Sequence, residues 1–195
     1  MKTRLIRWLR HAESQSNAGE KTSYPEEIAL TARGRAEAVR FAAAWNEAPD
    51  LIAVSGFVRA GETAAPLLER FPDVHNICLP VHELTFLCPA RCRVTSFEER
   101  RAMVEEYWER GDPLYVDGPG AESFFQFRDR VQDSISQLIE SSWQNILIVS
   151  HAQVMQLARA ASEAGSFYSI SMSDFRELRR SRPIANLELI ETHGY

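Results

Sequence analysis

Two histidines directly follow, or nearly follow, apolar runs, at positions where a folded α/β chain presents side chains to a ligand. His11 follows an apolar stretch at residues 5–9, with Arg10 directly before it, and His151 follows the apolar run 146–149. A neutral imidazole can act as a nucleophile, and a guanidinium is a permanent planar donor for phosphate or carboxylate. These residue types indicate a site for an anionic substrate.

Two further polar residues could complete such a site. Arg59 stands where a strand at 51–54 gives way to a helix, and Asn17 offers amide donors in the loop after His11. A cation at a helix N-terminus is mildly unfavourable unless an anion lies beside it. The two histidines could instead bind a metal, which leaves a metal-dependent hydrolase as an alternative, but the arginines favour an anion.

Short apolar runs alternate with stretches of helical period, which is typical of a three-layer α/β/α sandwich with a mostly parallel central sheet. Strands are expected at residues 5–9, 51–54, 77–79, 146–149 and 187–190. The carboxyl ends of parallel strands lie at one edge of a sheet. We therefore expect His11, Arg59 and His151 to lie close together.

Capping signals predict where several helices begin. Thr31 precedes one helical pattern, and two capping boxes, Ser96 with Glu99 and Ser123 with Gln126, precede others. Further helices are expected after Arg59 and at residues 154–164 and 174–180.

Residues 84–120 contain no clear strand and are rich in glycine and proline. Within one domain over residues 1–195, this segment is expected to be an insertion or lid over the site. Several aromatic and basic residues could line the mouth of the site: Phe57, Phe86, Arg91, Arg93 and Trp108. The helical spacing favours a core position for Trp108, and the two arginines could either bind a second anionic group or face solvent.

The composition limits the possible partners. The chain has 195 residues and a net charge of −5, so no global field favours nucleic acid or anionic lipid, and neither partner is expected. Three cysteines, Cys78, Cys88 and Cys92, predict reduced thiols in a cytoplasmic protein. A metal pair at Cys88 and Cys92 is conceivable, but His82 lies outside the usual zinc spacings. No secretory signal or run of transmembrane length is apparent.

Five short motifs, in order from Leu9 to His151, resemble the histidine phosphatase superfamily, also called the phosphoglycerate mutase-like family. They are Arg10-His11-Ala12-Glu13-Ser14 with Asn17, Leu30-Thr31-Ala32-Arg33-Gly34, the arginine segment 55–64, Gly120-Ala121-Glu122-Ser123 and Val149-Ser150-His151-Ala152. The resemblance implies a metal-independent phosphomonoester hydrolase in which His11 forms a phosphohistidine. It also implies that Arg10, Arg59, His151 and Asn17 hold the phosphoryl oxygens and that no cofactor is needed.

The resemblance further implies a general acid, which maps onto Glu83 in the branch that uses a glutamate. The aspartate branch is disfavoured because Ala152 follows the second histidine. Burial would raise the pKa of Glu83 and the arginines would lower it. His151 is expected to be protonated. The chain departs from the family at Ala12 and Ala152, which replace glycines, and in the apolar residues after Glu83.

Besides the metal-dependent hydrolase, three functions remain open from the sequence. The first is hydrolysis of a phosphorylated small molecule or phosphoprotein. The second is mutase-type phosphoryl transfer, which is disfavoured because no lysine-rich substrate segment is apparent. The third is a non-catalytic module that binds a phosphorylated ligand.

Overall fold

A computed structural model describes residues 4–193. Within this range, five strands form one sheet: β1 (Leu5–Arg10), β2 (Leu51–Ser55), β3 (His75–Leu79), β4 (Asn145–Ser150) and β5 (Leu189–Thr192). Their order is β3-β2-β4-β1-β5, and only β5 pairs antiparallel with its neighbour. The prediction of a mostly parallel central sheet is confirmed.

Seven α-helices occur in the described part of the chain: α1 (Ala32–Ala44), α2 (Val58–Arg70), α3 (Pro89–Cys92), α4 (Arg101–Arg110), α5 (Phe124–Glu140), α6 (Ala152–Ala164) and α7 (Met172–Ser181). The side chains of Thr31 and Ser123 cap α1 and α5 as predicted, and Ser123 forms the full capping box with Gln126. The helices lie on both faces of the sheet.

Alternating side chains of β4 show how the three layers are held together. Ile146 and Ile148 are fully buried in a core with residues of helices α4 to α7. Leu147 and Val149 are equally buried on the other face, against α1 and α2. Burial on both faces is characteristic of a central parallel strand, and it removes four large aliphatic side chains from water at about 1.5–3 kcal/mol each.

Several predicted element boundaries differ from the structure: β3, α6 and α7 each begin two residues before the expected start, and two other differences have a clear structural cause. The reciprocal hydrogen bonds of Ser96 and Glu99 do form, at 2.7 and 3.2 Å, but they close a turn, and α4 begins only at Arg101. The last strand begins at Leu189 because Leu187 has a φ of +58°, a left-handed conformation that a strand cannot contain. The N–H of Leu187 nevertheless donates to the Arg10 carbonyl at 3.2 Å.

The described residues hold all three cysteines as free thiols, Cys78 exposed and Cys88 and Cys92 buried. Between residues 4 and 193, no three or more His, Cys, Asp or Glu side chains converge where a metal ion could bind. No helix in that range is long and apolar enough to cross a bilayer.

Gly34, in α1, is required by a close approach to the loop that carries His11. A Cβ on Gly34 would lie 2.0 Å from the Glu13 carbonyl oxygen, whereas a Cβ on Gly61 in α2 would meet nothing within 4 Å. We expect Gly34→Ala to lower the free energy of unfolding by about 3 kcal/mol, because backbone atoms must shift. Gly61→Ala should raise it by up to about 1 kcal/mol.

Urea denaturation of both variants measures this difference. The two substitutions make the same chemical change in neighbouring helices, so helix propensity alone predicts that both are stabilising. A wild-type urea midpoint for Gly34→Ala would contradict the close approach.

Candidate active site

The structure brings the predicted site residues together at the carboxyl edge of the sheet. Arg10 pairs with Ser150 in the parallel register of β1 and β4, so the two histidines that come next are adjacent. The ring centroids of His11 and His151 are 5.1 Å apart, and both rings are buried. One cavity of about 230 Å³ is lined by Arg10, His11, Asn17, Arg59 and Glu83, whereas His151 is not among the described residues that line it.

The His11 ring is held in one tautomer. Its Nδ1 lies 2.7 Å from the Ala12 carbonyl oxygen, which can only accept, so Nδ1 carries the hydrogen. Its Nε2 accepts from Arg59 Nε at 3.2 Å. Burial first, and then the charges of Arg59 and Arg10, hold the pKa of His11 well below its usual value. A neutral imidazole with its Nε2 lone pair at the cavity is suited to nucleophilic attack.

The His151 ring is fully buried, and its Nδ1 has no hydrogen-bond partner in the described structure. Its Nε2 lies 2.8 Å from Ser55 Oγ. Burial, followed by the charge of Arg59, lowers the pKa of His151 well below the usual value. The ring is therefore neutral near pH 7, and the expectation of a protonated His151 is wrong. When the Ser55 hydroxyl donates to Nε2, Nδ1 carries a hydrogen that an anion can accept.

The two arginines are anchored by backbone carbonyls. Arg59 donates from one terminal nitrogen to Pro25 at 2.6 Å, and Arg10 donates to Ile184 at 2.6 Å. Burial lowers the pKa of Arg59 to about 10, so it remains charged at neutral pH. Arg10 Nε is buried without a partner in the described structure, as is His151 Nδ1. Buried donors without acceptors cost about 1–3 kcal/mol each, a cost that a bound anion would remove.

Asn17 is oriented by three donors to its Oδ1: Ser14 N at 3.2 Å, Ser14 Oγ at 3.0 Å and Asn186 Nδ2 at 3.1 Å. This leaves the Asn17 amide nitrogen as the end available to a ligand at the cavity. Asn186 also donates to the His11 carbonyl at 2.8 Å. Sequence reasoning missed Asn186, because nothing local connects it with a loop 169 positions earlier.

Glu83 lies in the loop after β3, and its carboxylate contacts the first turn of α6. Its Oε1 accepts from Gln153 N at 3.1 Å and from Leu84 N at 3.3 Å. Burial raises the pKa of Glu83, while Arg59 and Arg10 act in the opposite direction. Burial is the larger influence, which answers the question that the sequence left open. A carboxyl with a raised pKa can carry a proton near the reacting group.

The loop that carries Glu83 is held by an ion pair. Glu122 accepts from Arg130 at 2.6 and 3.0 Å and from Thr85 N at 3.2 Å. Arg130 also donates to the His82 carbonyl at 3.1 Å. Glu122 belongs to a predicted motif, whereas Arg130 was missed because only the folded α5 brings it to this loop.

The residues expected at the mouth have different positions. Phe86 lines the cavity, and Trp108 is a core residue as the helical spacing favoured. The Phe57 ring packs against His151 and under Arg59. Arg91 forms an ion pair with Asp117, and the Arg93 guanidinium lies 5.9 Å from the Tyr24 ring centroid. Arg91 and Arg93 are not among the described residues that line the cavity.

Comparisons with known proteins agree with this fold. The family model described as histidine phosphatase superfamily (branch 1) matches residues 6–173. No curated protein sequence matches significantly. An alpha-ribazole phosphatase structure from Shigella flexneri superposes with a TM-score of 0.73 at 23% identity, covering 97% of this chain and 94% of that one.

Two other solved structures are similar. A mycobacterial glucosyl-3-phosphoglycerate phosphatase has a TM-score of 0.72 at 21% identity, with 96% of this chain and 89% of that one covered. A phosphoserine phosphatase from Entamoeba histolytica, in complex with 3-phosphoglyceric acid, has a TM-score of 0.71 at 17% identity, with 98% and 93% covered. At these identities the structures indicate a shared fold.

Proposed function

Because the chain belongs to the histidine phosphatase superfamily (branch 1), which supports phosphoryl hydrolysis or transfer as its reaction, we propose that it is a metal-independent phosphomonoester hydrolase. The observation that carries this proposal is the state of His11, a buried, neutral imidazole whose Nδ1 hydrogen bond to Ala12 leaves Nε2 as the nucleophilic atom. The proposal assigns His11 a covalent role, with a phosphohistidine as intermediate.

In the first step, His11 Nε2 attacks phosphorus and the bond from phosphorus to the ester oxygen breaks. Arg59 must release Nε2 and turn its N–H groups to the phosphoryl oxygens, which a charged substrate favours. Arg10, Arg59, His151 Nδ1 and the Asn17 amide are the proposed donors to these oxygens. Charge spreads over the same oxygens in the transition state, so preorganised donors lower the barrier.

Glu83 is the proposed general acid. Its raised pKa keeps the carboxyl protonated at a higher pH than an exposed glutamate, so it can give its proton to the leaving alkoxide. In the second step, the resulting carboxylate takes a proton from water while the water oxygen attacks the phosphohistidine. Phosphate leaves, and both His11 and Glu83 return to their starting protonation states.

The surroundings of the site suggest the type of substrate and the role of the segment at 84–120. We propose that the chain forms one domain in which this segment is the lid, because many of its residues line the cavity. A cavity of about 230 Å³ favours a small phosphorylated molecule over a phosphoprotein. The free cysteines are consistent with a cytoplasmic location, which we also propose.

The proposal is tested by turnover and by trapping the intermediate. In excess chelator, the protein should hydrolyse an aryl phosphate, and rapid quenching into alkali with ³²P-labelled substrate should trap radioactivity on His11. Phosphohistidine survives alkali and is lost in acid, which distinguishes it from a phosphoserine.

Each alternative predicts a different outcome. Activity that requires added metal would favour a metal-dependent hydrolase. A mutase would keep the label until an acceptor alcohol is added. Binding of the ester without turnover would favour a non-catalytic module.

A further inference from the structure

A third arginine lines the cavity from the lid side. Of the arginines in the described segment 84–120, Arg100 alone lies in the lining, to which the same segment also contributes apolar residues: Leu84, Phe86, Leu87, Phe97 and Val104. Arg100 is half-buried and immediately precedes α4. Its N–H donates to the Ser96 carbonyl at 3.3 Å, and its carbonyl accepts from Val104 N at 3.0 Å. The backbone of this cation is therefore fixed.

The nearby carboxylates do not neutralise Arg100. Glu98 pairs with Arg101, and Glu99 is held by Lys21 and by the Ser96 amide. In residues 4–193, no carboxylate lies within ion-pair distance of Arg100. Its Nε donates to the Ser96 carbonyl at 3.2 Å, and its side chain also hydrogen-bonds to the Cys92 thiol. Burial raises the pKa of that thiol, and the charge of Arg100 acts in the opposite direction. A guanidinium has five donors, so most of its hydrogen-bonding capacity remains for a ligand.

The other arginines of the lid are already occupied. Arg91, Arg101 and Arg110 each form an ion pair with a carboxylate of the same segment. Arg93 lies over the Tyr24 ring and outside the cavity. From the sequence, Arg91 and Arg93 were the residues that could bind a second anionic group. Among the described arginines of the lid, the one that lines the cavity without a carboxylate partner is Arg100, nine residues beyond Arg91.

We propose that Arg100 binds a second anionic group of the substrate, a carboxylate or a second phosphate carried by the leaving group. This rests on the proposed function, because the first phosphate must occupy the donors around His11. The substrate class is then an organic phosphomonoester with an anion at its far end and an apolar or uncharged framework between. Three arginines in one small cavity repel one another, and a ligand with two anionic ends balances their charge.

Binding of phosphonates tests this inference without requiring turnover. The probes are benzylphosphonate, its 4-carboxylate, its 4-carboxamide and the 1,4-xylylene bisphosphonate, titrated by calorimetry. We expect the 4-carboxylate or the bisphosphonate to bind wild-type protein at least about tenfold more tightly than the carboxamide. Whichever does so identifies the anion. In Arg100→Gln this ratio should fall close to one, and in Arg100→Lys it should be partly retained.

Arg93→Gln is the matched control and should keep the wild-type ratio, because Arg93 lies outside the cavity lining. A ratio near one in wild-type protein, or a ratio that survives in Arg100→Gln, would overturn the inference. The proposed function fails separately: wild-type protein that binds the dianionic probes selectively but never hydrolyses a phosphomonoester would refute hydrolysis and leave the anion site intact.

Discussion

Replacement of His11 by alanine is expected to lower kcat for aryl phosphates by about 10⁴-fold, because the variant has no nucleophile for the phosphoryl group. The donors to the phosphoryl oxygens remain, so inorganic phosphate or vanadate should still bind. The measurement is steady-state hydrolysis in excess chelator, together with calorimetric binding of phosphate. Loss of turnover with retained binding would separate attack by His11 from mere binding by its neighbours.

A matched histidine supplies the control. His75 is exposed at the start of β3, at the edge of the sheet, where its ring packs on Trp143. His75→Ala should keep wild-type kcat, so the loss in His11→Ala is specific to position. Wild-type turnover by His11→Ala would refute the covalent mechanism.

The gathering of His11, Arg59 and His151 could be predicted because it depends mainly on topology. Each residue comes just after a short apolar run, and the carboxyl ends of parallel strands, with the residues next to them, meet at one edge of the sheet. The element types were predictable for the same reason, since a run such as β4 has few ways to be buried. To predict the sheet, it was enough to recognise the apolar runs and their order along the chain.

The residues that hold the site in place could not be predicted in this way. Arg130, Ser55 and Asn186 act through hydrogen bonds to partners that are 48, 96 and 175 positions away in the chain. Such pairs depend on how loops and helices pack, and no local pattern encodes that. The same holds for Arg100, whose importance comes from the partners taken by its neighbours.

Charge states also required the structure. The family resemblance led to the expectation of a protonated His151, yet complete burial beside Arg59 makes the neutral ring more stable. Because folding lowers the pKa of His11 and His151 below 6.5, both contribute stability above that pH and lose it as the pH falls. The free energy of unfolding should therefore decrease below about pH 6.5 from this source.

Glu83 has the opposite linkage. Its pKa is raised from the usual 4.5, so the folded state binds its proton more tightly than the unfolded state does. The stability from this group is fully present below 4.5 and is lost as the pH rises through the raised pKa. Glu83→Gln should remove this part of the pH dependence and increase stability at high pH, because a neutral amide replaces a buried charge.

For catalysis, Glu83→Gln is expected to lower kcat/KM for an alkyl phosphate by about 10²- to 10⁴-fold, because a poor leaving group needs a proton. With 4-nitrophenyl phosphate the loss should be much smaller, since that phenolate leaves readily without one. In wild-type protein, kcat/KM for the alkyl ester should fall as the pH rises through the raised pKa of Glu83, and this limb should be absent in the variant.

The comparison between leaving groups is the measurement that separates proton donation from a structural role. A Glu83 that only supported the loop would, when replaced, slow both esters by the same factor. Glu69→Gln makes the same chemical change on the exposed face of α2 and should leave both rates at the wild-type value. Equal losses for both esters in Glu83→Gln would therefore show that another residue is the general acid. They would not contradict the attack by His11, which is tested separately.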